Sequence, residues 1–357
     1  MSDDQAFPPP GAQPAPPPPP PLGEAVHNPP PGWAPAPGML GAAHKPGAMP
    51  LRPLALGDMY NAAFRIIRFN PKATVGSAVL VASVTMMIPV VISAAFTFTT
   101  GATLDETGEI APNASQSETI GATVSFASFI GSTILLQIGL IFVTGMIAHV
   151  AIAAAIGKRL TLGEAWAATR GKRWKLLGLT CVINLAAALA AGIYFGLWVL
   201  VVQVSSSPGP IVIWGVVTVP AFIAGIVWFW VRFYYLPAPV LMLEPVGVFG
   251  AIRRGYGLTR NQFWRIFGIG VLTVIVTGIA GGMLSGPVSF IGQIASLAVP
   301  EYALLGFAIT QAVSSVISSA FVAPFTSAVA SLQYIDQRMR KEAFDIELMS
   351  RAGITAS

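Results

Sequence analysis

Few residues of this chain could do covalent or metal chemistry. Its only histidines are His27, His44 and His149, and its only cysteine is Cys181. His27 and His44 stand in a proline-rich leader and His149 in a long apolar run. The three cannot share a metal with carboxylates at ligand spacing, so no metal centre is expected. Cys181 also lies in an apolar run and has no partner for an intramolecular disulfide. There is no phosphate-binding Walker loop, no Gly-x-Ser-x-Gly elbow and no Cys/His cluster. Gly268-Ile269-Gly270 falls inside an apolar stretch and reads as packing. Asn113-Ala114-Ser115 matches a glycosylation sequon by chance spacing. No catalytic residue, cofactor site or metal site is therefore assigned.

The elements that carry these residues explain why the chemistry is sparse. Of the 357 residues, 54% are hydrophobic and only 10% are charged. A water-soluble domain carries about 25% charged residues, so lipid must be the solvent for most of this chain. Crossing the hydrocarbon core takes roughly 20 apolar residues. Six stretches suffice: Ala73–Phe98, Ile130–Ile156 (with a possible start at Ile120), Leu176–Val204, Ile211–Leu236, Ile266–Leu284 and Ala303–Leu332. Pro89, Pro220 and Pro324 lie inside them and are expected to kink them. The predicted fold class is an all-α integral membrane protein of six transmembrane helices, arranged as three helix pairs.

The placement of charge fixes the expected topology. The basic residues fall in four groups: Lys45 to Lys72, Lys158 to Lys175, Arg232 to Arg265, and Arg338 to Arg351. With six spans, all four lie on one side. Asp105, Glu106, Glu109, Glu118 and Glu301 lie on the other, with no basic residue among them. Five or seven spans would break this alternation. By the positive-inside rule both termini are cytoplasmic, and the protein is expected to be a multi-pass plasma-membrane protein. The net charge of +5 therefore points to membrane lipids, not nucleic acid.

Each helix pair is preceded by a basic segment. Residues 56–60 (Leu-Gly-Asp-Met-Tyr) lead to Arg65 and Arg68, and residues 162–166 (Leu-Gly-Glu-Ala-Trp) to Arg170, Lys172, Arg173 and Trp174. Residues 246–249 (Val-Gly-Val-Phe) lead to Arg253, Arg254, Arg260, Trp264 and Arg265. At 100° per residue the first segment divides into an apolar face holding Met59, Tyr60, Ala63, Phe64, Ile66 and Ile67, and a polar face holding Asp58, Asn61, Arg65 and Arg68. Such helices can lie in the membrane interface with their basic residues at anionic headgroups. These residues are the candidate lipid or partner contacts. In the third segment Phe249, Ile252 and Tyr256 form the predicted apolar stripe.

Other polar features have structural expectations. His149 is the one ionisable group deep in a span, where hydrogen bonding to Gln137, Asn184, Gln203 or Gln311 is expected. No buried carboxylate or cation offers an ion-coupling relay. Gly278, Gly282 and Gly286 form a small-residue seam, expected to pack within the bundle or against a second copy in a homo-oligomer. Residues 1–50 hold 17 of the 30 prolines and are expected to be a disordered tail, a spacer or a docking site for a protein partner. Residues 51–335 would be the membrane domain. Residues 336–357 would be a solvated cytoplasmic helix with i,i+4 pairs Asp336/Arg340, Lys341/Asp345 and Glu347/Arg351.

Three stretches carry a resemblance: residues 54–58 (Leu-Ala-Leu-Gly-Asp), residues 251–265 through Leu258-Thr259-Arg260-Asn261-Gln262-Phe263-Trp264-Arg265, and residues 334–348 from Tyr334-Ile335-Asp336 to Leu348. Together they resemble a family of actinobacterial six-helix membrane proteins with proline-rich tails. That family is related to the membrane domain fused to some glycerophosphoryl diester phosphodiesterases. The resemblance implies a plasma-membrane protein and supplies no functional residues. The phosphodiesterase barrel itself has no counterpart here. The expected function is non-enzymatic: a scaffold or accessory subunit in cell-envelope or lipid metabolism. The alternatives are a carrier of lipids or other small molecules, and an inactive homologue of the phosphodiesterase membrane domain.

Overall fold

The computed structural model describes residues 47–104, 109–110 and 113–353. The proline-rich tail up to residue 46, with His27 and His44, lies outside the described residues, as do Asp105 and Glu106. The described chain is helical throughout, with no strand. Six helices are long and apolar enough to cross a membrane.

The element order follows the charge pattern. A short helix α1 (Leu56–Phe69) leads into α2 (Val75–Thr100) and α3 (Gln116–Ala155). Next come α4 (Leu162–Ala168), α5 (Arg173–Val204) and α6 (Pro208–Phe229), which runs through a π-turn (Trp230–Tyr234) into α7 (Pro237–Leu243). Last are α8 (Val248–Thr259), α9 (Phe263–Ala298), α10 (Ala303–Glu342) and the short α11 (Phe344–Arg351). Several starts are capped by the local sequence. Ser115 and Thr161 each accept from the backbone N–H three residues on, while Glu118 and Glu164 reach back to the cap N–H, the reciprocal pattern of a capping box. Ser115 of the sequon is thus a helix cap. At α1 the Asp58 carboxylate accepts from the Ala55 N–H at 3.2 Å.

Helices α3, α9 and α10 outrun the predicted spans. The 40 residues of α3 extend roughly 60 Å at 1.5 Å per residue, against a hydrocarbon core of ~30 Å. Hydropathy marks only the part in lipid, and backbone hydrogen bonding carries the helix further. α9 passes through Pro287 and α10 passes Leu332 to end at Glu342, where Ala343 turns left-handed (φ 50°).

α10 is the axis of the bundle, packed against α2, α3 and α9. The main core lies at the basic end. It joins the last turns of α3, the start of α5, the π-turn, α7 and residues 325–339 of α10. Two smaller clusters, around Met86/Leu136 and Ala102/Leu304, continue the contact toward the acidic end. One expectation is corrected here. The apolar face of α1 is not laid on lipid: Met59, Ala62, Ala63 and Ile66 are buried in this core, and Tyr60 stacks on Phe325 at 5.6 Å. In α8 the buried side is Ala251, Gly255, Leu258 and Thr259, while Phe249 and Tyr256 of the predicted stripe are exposed. A neighbouring helix competes with the bilayer for the same apolar surface, and here the protein core takes most of it.

The small-residue seam is also corrected as an internal contact. A Cβ at Gly278, Gly282 or Gly286 would meet nothing within 4 Å, so this stripe faces away from the chain's own helices. The close approach of α9 to α10 occurs elsewhere. A Cβ on Gly292 would sit 2.0 Å from the Thr310 hydroxyl, and one on Gly281 would sit 3.0 Å from Ser318 and Val322. Gly292→Leu is expected to lose about 1–3 kcal/mol through forced separation of the pair. Gly278→Leu should be neutral. Melting temperatures of the two variants in detergent separate these outcomes.

Candidate functional site

The sequence Leu236-Pro237-Ala238-Pro239 organises the site. Each proline lacks an N–H and clashes with a continuing helix, so α6 cannot run on unbroken. It widens into the π-turn, where the Tyr235 N–H reaches Trp230 O at 3.3 Å, and then restarts as α7. One extra residue in a turn redirects the side chains that follow, and such bulges recur at functional sites. Tyr235 turns into the core beside Thr273 and Tyr60, while Tyr234 stays exposed.

The hairpin α5–α6 leans away from the bundle. α5 buries only Leu176, Leu179 and Ile183, all near its start, and α6 buries no residue. The two helices hold each other through Tyr194, which stacks on Phe222 at 3.9 Å and shares a hydrogen bond with Thr218 at 3.2 Å. A cleft of about 270 Å³ opens between the first half of α5, the π-turn, α7, α3, α9 and α10. Its walls are mainly apolar, with Ile141, Leu179, Ile183, Trp230 and Val274 among them. Two of its polar contacts are internal, while the buried Tyr235 hydroxyl on its wall makes no hydrogen bond among the described residues. Thr144 and Ser327 bond each other at 2.9 Å, and the Thr180 hydroxyl donates to Leu176 O of its own helix. No histidine, carboxylate or cation lines it. An apolar cavity of ~150 Å³ suffices for benzene, so this one suits a longer apolar fragment.

Below the cleft, two buried carboxylates organise the basic end. Asp336 is 0% exposed. It accepts from the Leu54 N–H at 2.8 Å, from Arg265 at 3.1 Å and from Arg340 at 3.0 Å. Arg265 and Arg340 also donate to Leu54 O. Glu244, the cap of α7, accepts from Arg254 at 3.0 Å and from the Tyr334 hydroxyl at 2.9 Å, with Arg338 at 3.9 Å. Glu342 pairs with both Arg254 and Arg338. The C-terminal stretch is therefore not a solvated helix over its first turns: the core immobilises it because its Asp336 carboxylate is the acceptor for two other segments, the stretch before α1 and the start of α9. Of the three pairs expected there, Asp336/Arg340 and Glu347/Arg351 form. The helix break at Ala343 separates Lys341 from Asp345.

The eleven candidate contacts thus divide. Arg254 and Arg265 are ion-paired inside the protein. Lys172 donates to Met242 O at 2.9 Å and Glu244 O at 2.7 Å, closing the end of α7. Burial, and next the charge of Lys175, pull its amine below the ordinary lysine value, against the opposing pull of Glu244. Arg173 lies 3.6 Å over the Trp166 ring and donates to Thr169. Arg65, Arg68, Arg170, Arg253 and Arg260 are exposed and make no ion pair among the described residues. Trp174 and Trp264 are 82% and 78% exposed at the basic starts of α5 and α9, where indole rings favour a membrane interface. Sequence reasoning passed over Glu244 and read Asp336 only as one half of a solvated i,i+4 pair. Their signal was present: isolated acidic residues among basic ones, at helix ends beside apolar runs. His149 gains no partner from the glutamines and asparagine expected to serve it. Its Nε2 is buried without a hydrogen bond, and Asn184 bonds back to Thr180 O of its own helix.

No protein-family model, curated protein or solved structure matches this chain.

Proposed function

We propose that this multi-pass membrane protein holds the apolar part of a membrane lipid in the cleft beside the α5–α6 hairpin, without catalysing a reaction on it. The carrying observation is the cleft itself: an apolar recess bounded by a hairpin that buries almost nothing against its own bundle. In a bilayer such a gap must fill with acyl chain, because unfilled apolar volume forfeits dispersion contacts on every wall. The walls carry hydroxyls but no histidine, carboxylate, lysine or cysteine to activate them, which favours binding or passage over chemistry. The basic end lies in the cytoplasm in this proposal, with both termini, because the bilayer resists translocation of lysine and arginine. A plasma-membrane address and kinship to the phosphodiesterase-associated six-helix family suit the same reading.

The test is photolabelling of the full chain in nanodiscs with a phospholipid bearing a diazirine on its acyl chain. Labelling should concentrate on the cleft walls of α5 and α10. Thr180→Trp fills the cleft without removing an interhelical bond and should lower that labelling several-fold, with melting temperature retained. Labelling spread evenly over all lipid-facing helices and unmoved by Thr180→Trp would overturn the proposal.

A second reading, a scaffold for another membrane protein, is favoured by α6, which buries no residue and leaves the side opposite α5 exposed. A partner covering it would protect Val212, Val216 and Ile223 from lipid-phase labelling.

A further inference from the structure

We propose that Arg232, Arg260 and Lys341 form a phosphate-binding site at the basic end, taking the phosphate of an anionic lipid headgroup. Arg232 sits in the π-turn, the element whose Trp230 and Tyr234 line the cleft. Its guanidinium lies 5.0 Å from the Tyr256 ring and 5.8 Å from the Phe263 ring, and it donates once, to Thr259 at 3.2 Å. It faces no carboxylate among the described residues, and its Nε is buried with no acceptor. An arginine at the membrane boundary without a counter-charge is a functional-site candidate by default, because desolvating it uncompensated is costly.

The surroundings add positive charge. Lys341 is near enough to feel Arg232, Arg254 and Arg260, with Glu342 opposing them. Its amine donates to the carbonyls of Gly257, Leu258 and Arg260 at 3.1, 2.9 and 2.8 Å, closing the end of α8. It therefore contributes field and not a free donor. The nearby carboxylates are committed elsewhere: Glu244 and Glu342 both hold Arg254 and Arg338. Arg260 is exposed at the rim. What remains is a net positive cluster around an aromatic-backed guanidinium, a fork shaped for phosphate oxygens.

The choice of a lipid as the phosphate's carrier rests on the cleft reading. The charge imbalance does not. The experiment measures, by native mass spectrometry, how many phosphatidylglycerol molecules the full chain retains from phosphatidylcholine nanodiscs doped with it. Calorimetry with inorganic phosphate runs in parallel. Arg232→Gln and Arg260→Gln are each compared with Arg253→Gln, an exposed arginine of α8 outside the site. The expected result is a roughly tenfold weaker preference for phosphatidylglycerol in the first two, the size of one lost charge-assisted bond, and no change in the third. Inorganic phosphate should bind without discriminating effect. Equal preference in all four proteins, each with an unshifted melting temperature, would overturn the site. Tight inorganic-phosphate binding lost in Arg232→Gln, with lipid preference unchanged, would overturn the lipid as its source. If Arg232→Gln does not fold, Arg260→Gln alone decides. Acyl-chain labelling of the cleft is scored separately in the same variants. Its survival beside a lost headgroup preference supports both readings, and its absence beside a retained preference would sink the cleft alone.

Discussion

Asp336→Ala is expected to destabilise the protein by about 3 kcal/mol and to free the segment before α1. The carboxylate is fully buried and is the acceptor for Leu54 N–H, Arg265 and Arg340 at once. Breaking a buried pair by removing one partner costs about 3–5 kcal/mol, because the remaining charge is left uncompensated. Here the two guanidinium groups are about a third exposed, at 29% and 30%. Water therefore takes back part of their charge, and the low end of that range applies. Asp336→Asn should cost less, since an amide oxygen can still accept from Leu54. The readout is twofold: the melting temperature in detergent, and hydrogen exchange at the Leu54 amide, which the Asp336 carboxylate should protect in the parent protein. An Asp336→Ala protein with the parent's melting temperature and the parent's protection at the Leu54 amide would show that the carboxylate is not the anchor.

That anchor also marks where the sequence stops being legible. The six candidate spans follow from apolar run length, and the sidedness proposed for them rests on twenty basic residues in alternate groups. Both are properties of one segment in one solvent and need no knowledge of neighbours. The apolar face of α1 was equally visible, but its destination was not. A helical face carrying Met59, Ala63 and Ile66 suits lipid and a protein core equally well, and only tertiary contact with Phe325 settles the choice. The same holds for Asp336 and Arg340. Their spacing predicts an i,i+4 pair on any helix, exposed or buried, and the pair forms. Its burial depends on Leu54 and Arg265, far away in sequence. The cleft was beyond reach for a different reason. Nothing in the hydropathy of α5 or α6 says whether an apolar surface meets a helix or a lipid tail, because both are apolar solvents for it. The nearest signal was Leu236-Pro237-Ala238-Pro239, where two missing donors forbid a straight helix.

Glu244→Gln is the variant expected to act on both stability and the cleft. The side chain is 13% exposed and is shared by Arg254 and the Tyr334 hydroxyl, with Arg338 close by. Its backbone oxygen also accepts from Lys172. One carboxylate thus ties α7 to α8 and α10, and α7 and α10 supply walls of the cleft. Glutamine keeps the shape and one acceptor but removes the charge. Arg254 and Arg338 would then share Glu342, which is more exposed at 26% and screens better. The expected loss is about 2–3 kcal/mol, the range for a hydrogen bond to a buried charged group together with its residual desolvation. Tyr334→Phe removes only the neutral donor and should lose about 1 kcal/mol. The double variant should lose less than the sum, since both act through one contact. Strict additivity in melting experiments would mean that the two side chains are not coupled and that the geometry described for Glu244 is wrong. Because α7 carries Ala238 and Pro239 into the wall of the cleft, the same substitution should broaden acyl-chain labelling from the cleft onto the outer faces of α5 and α6. A stability loss with labelling unchanged would separate the clamp from the cleft and leave Glu244 with a purely structural role.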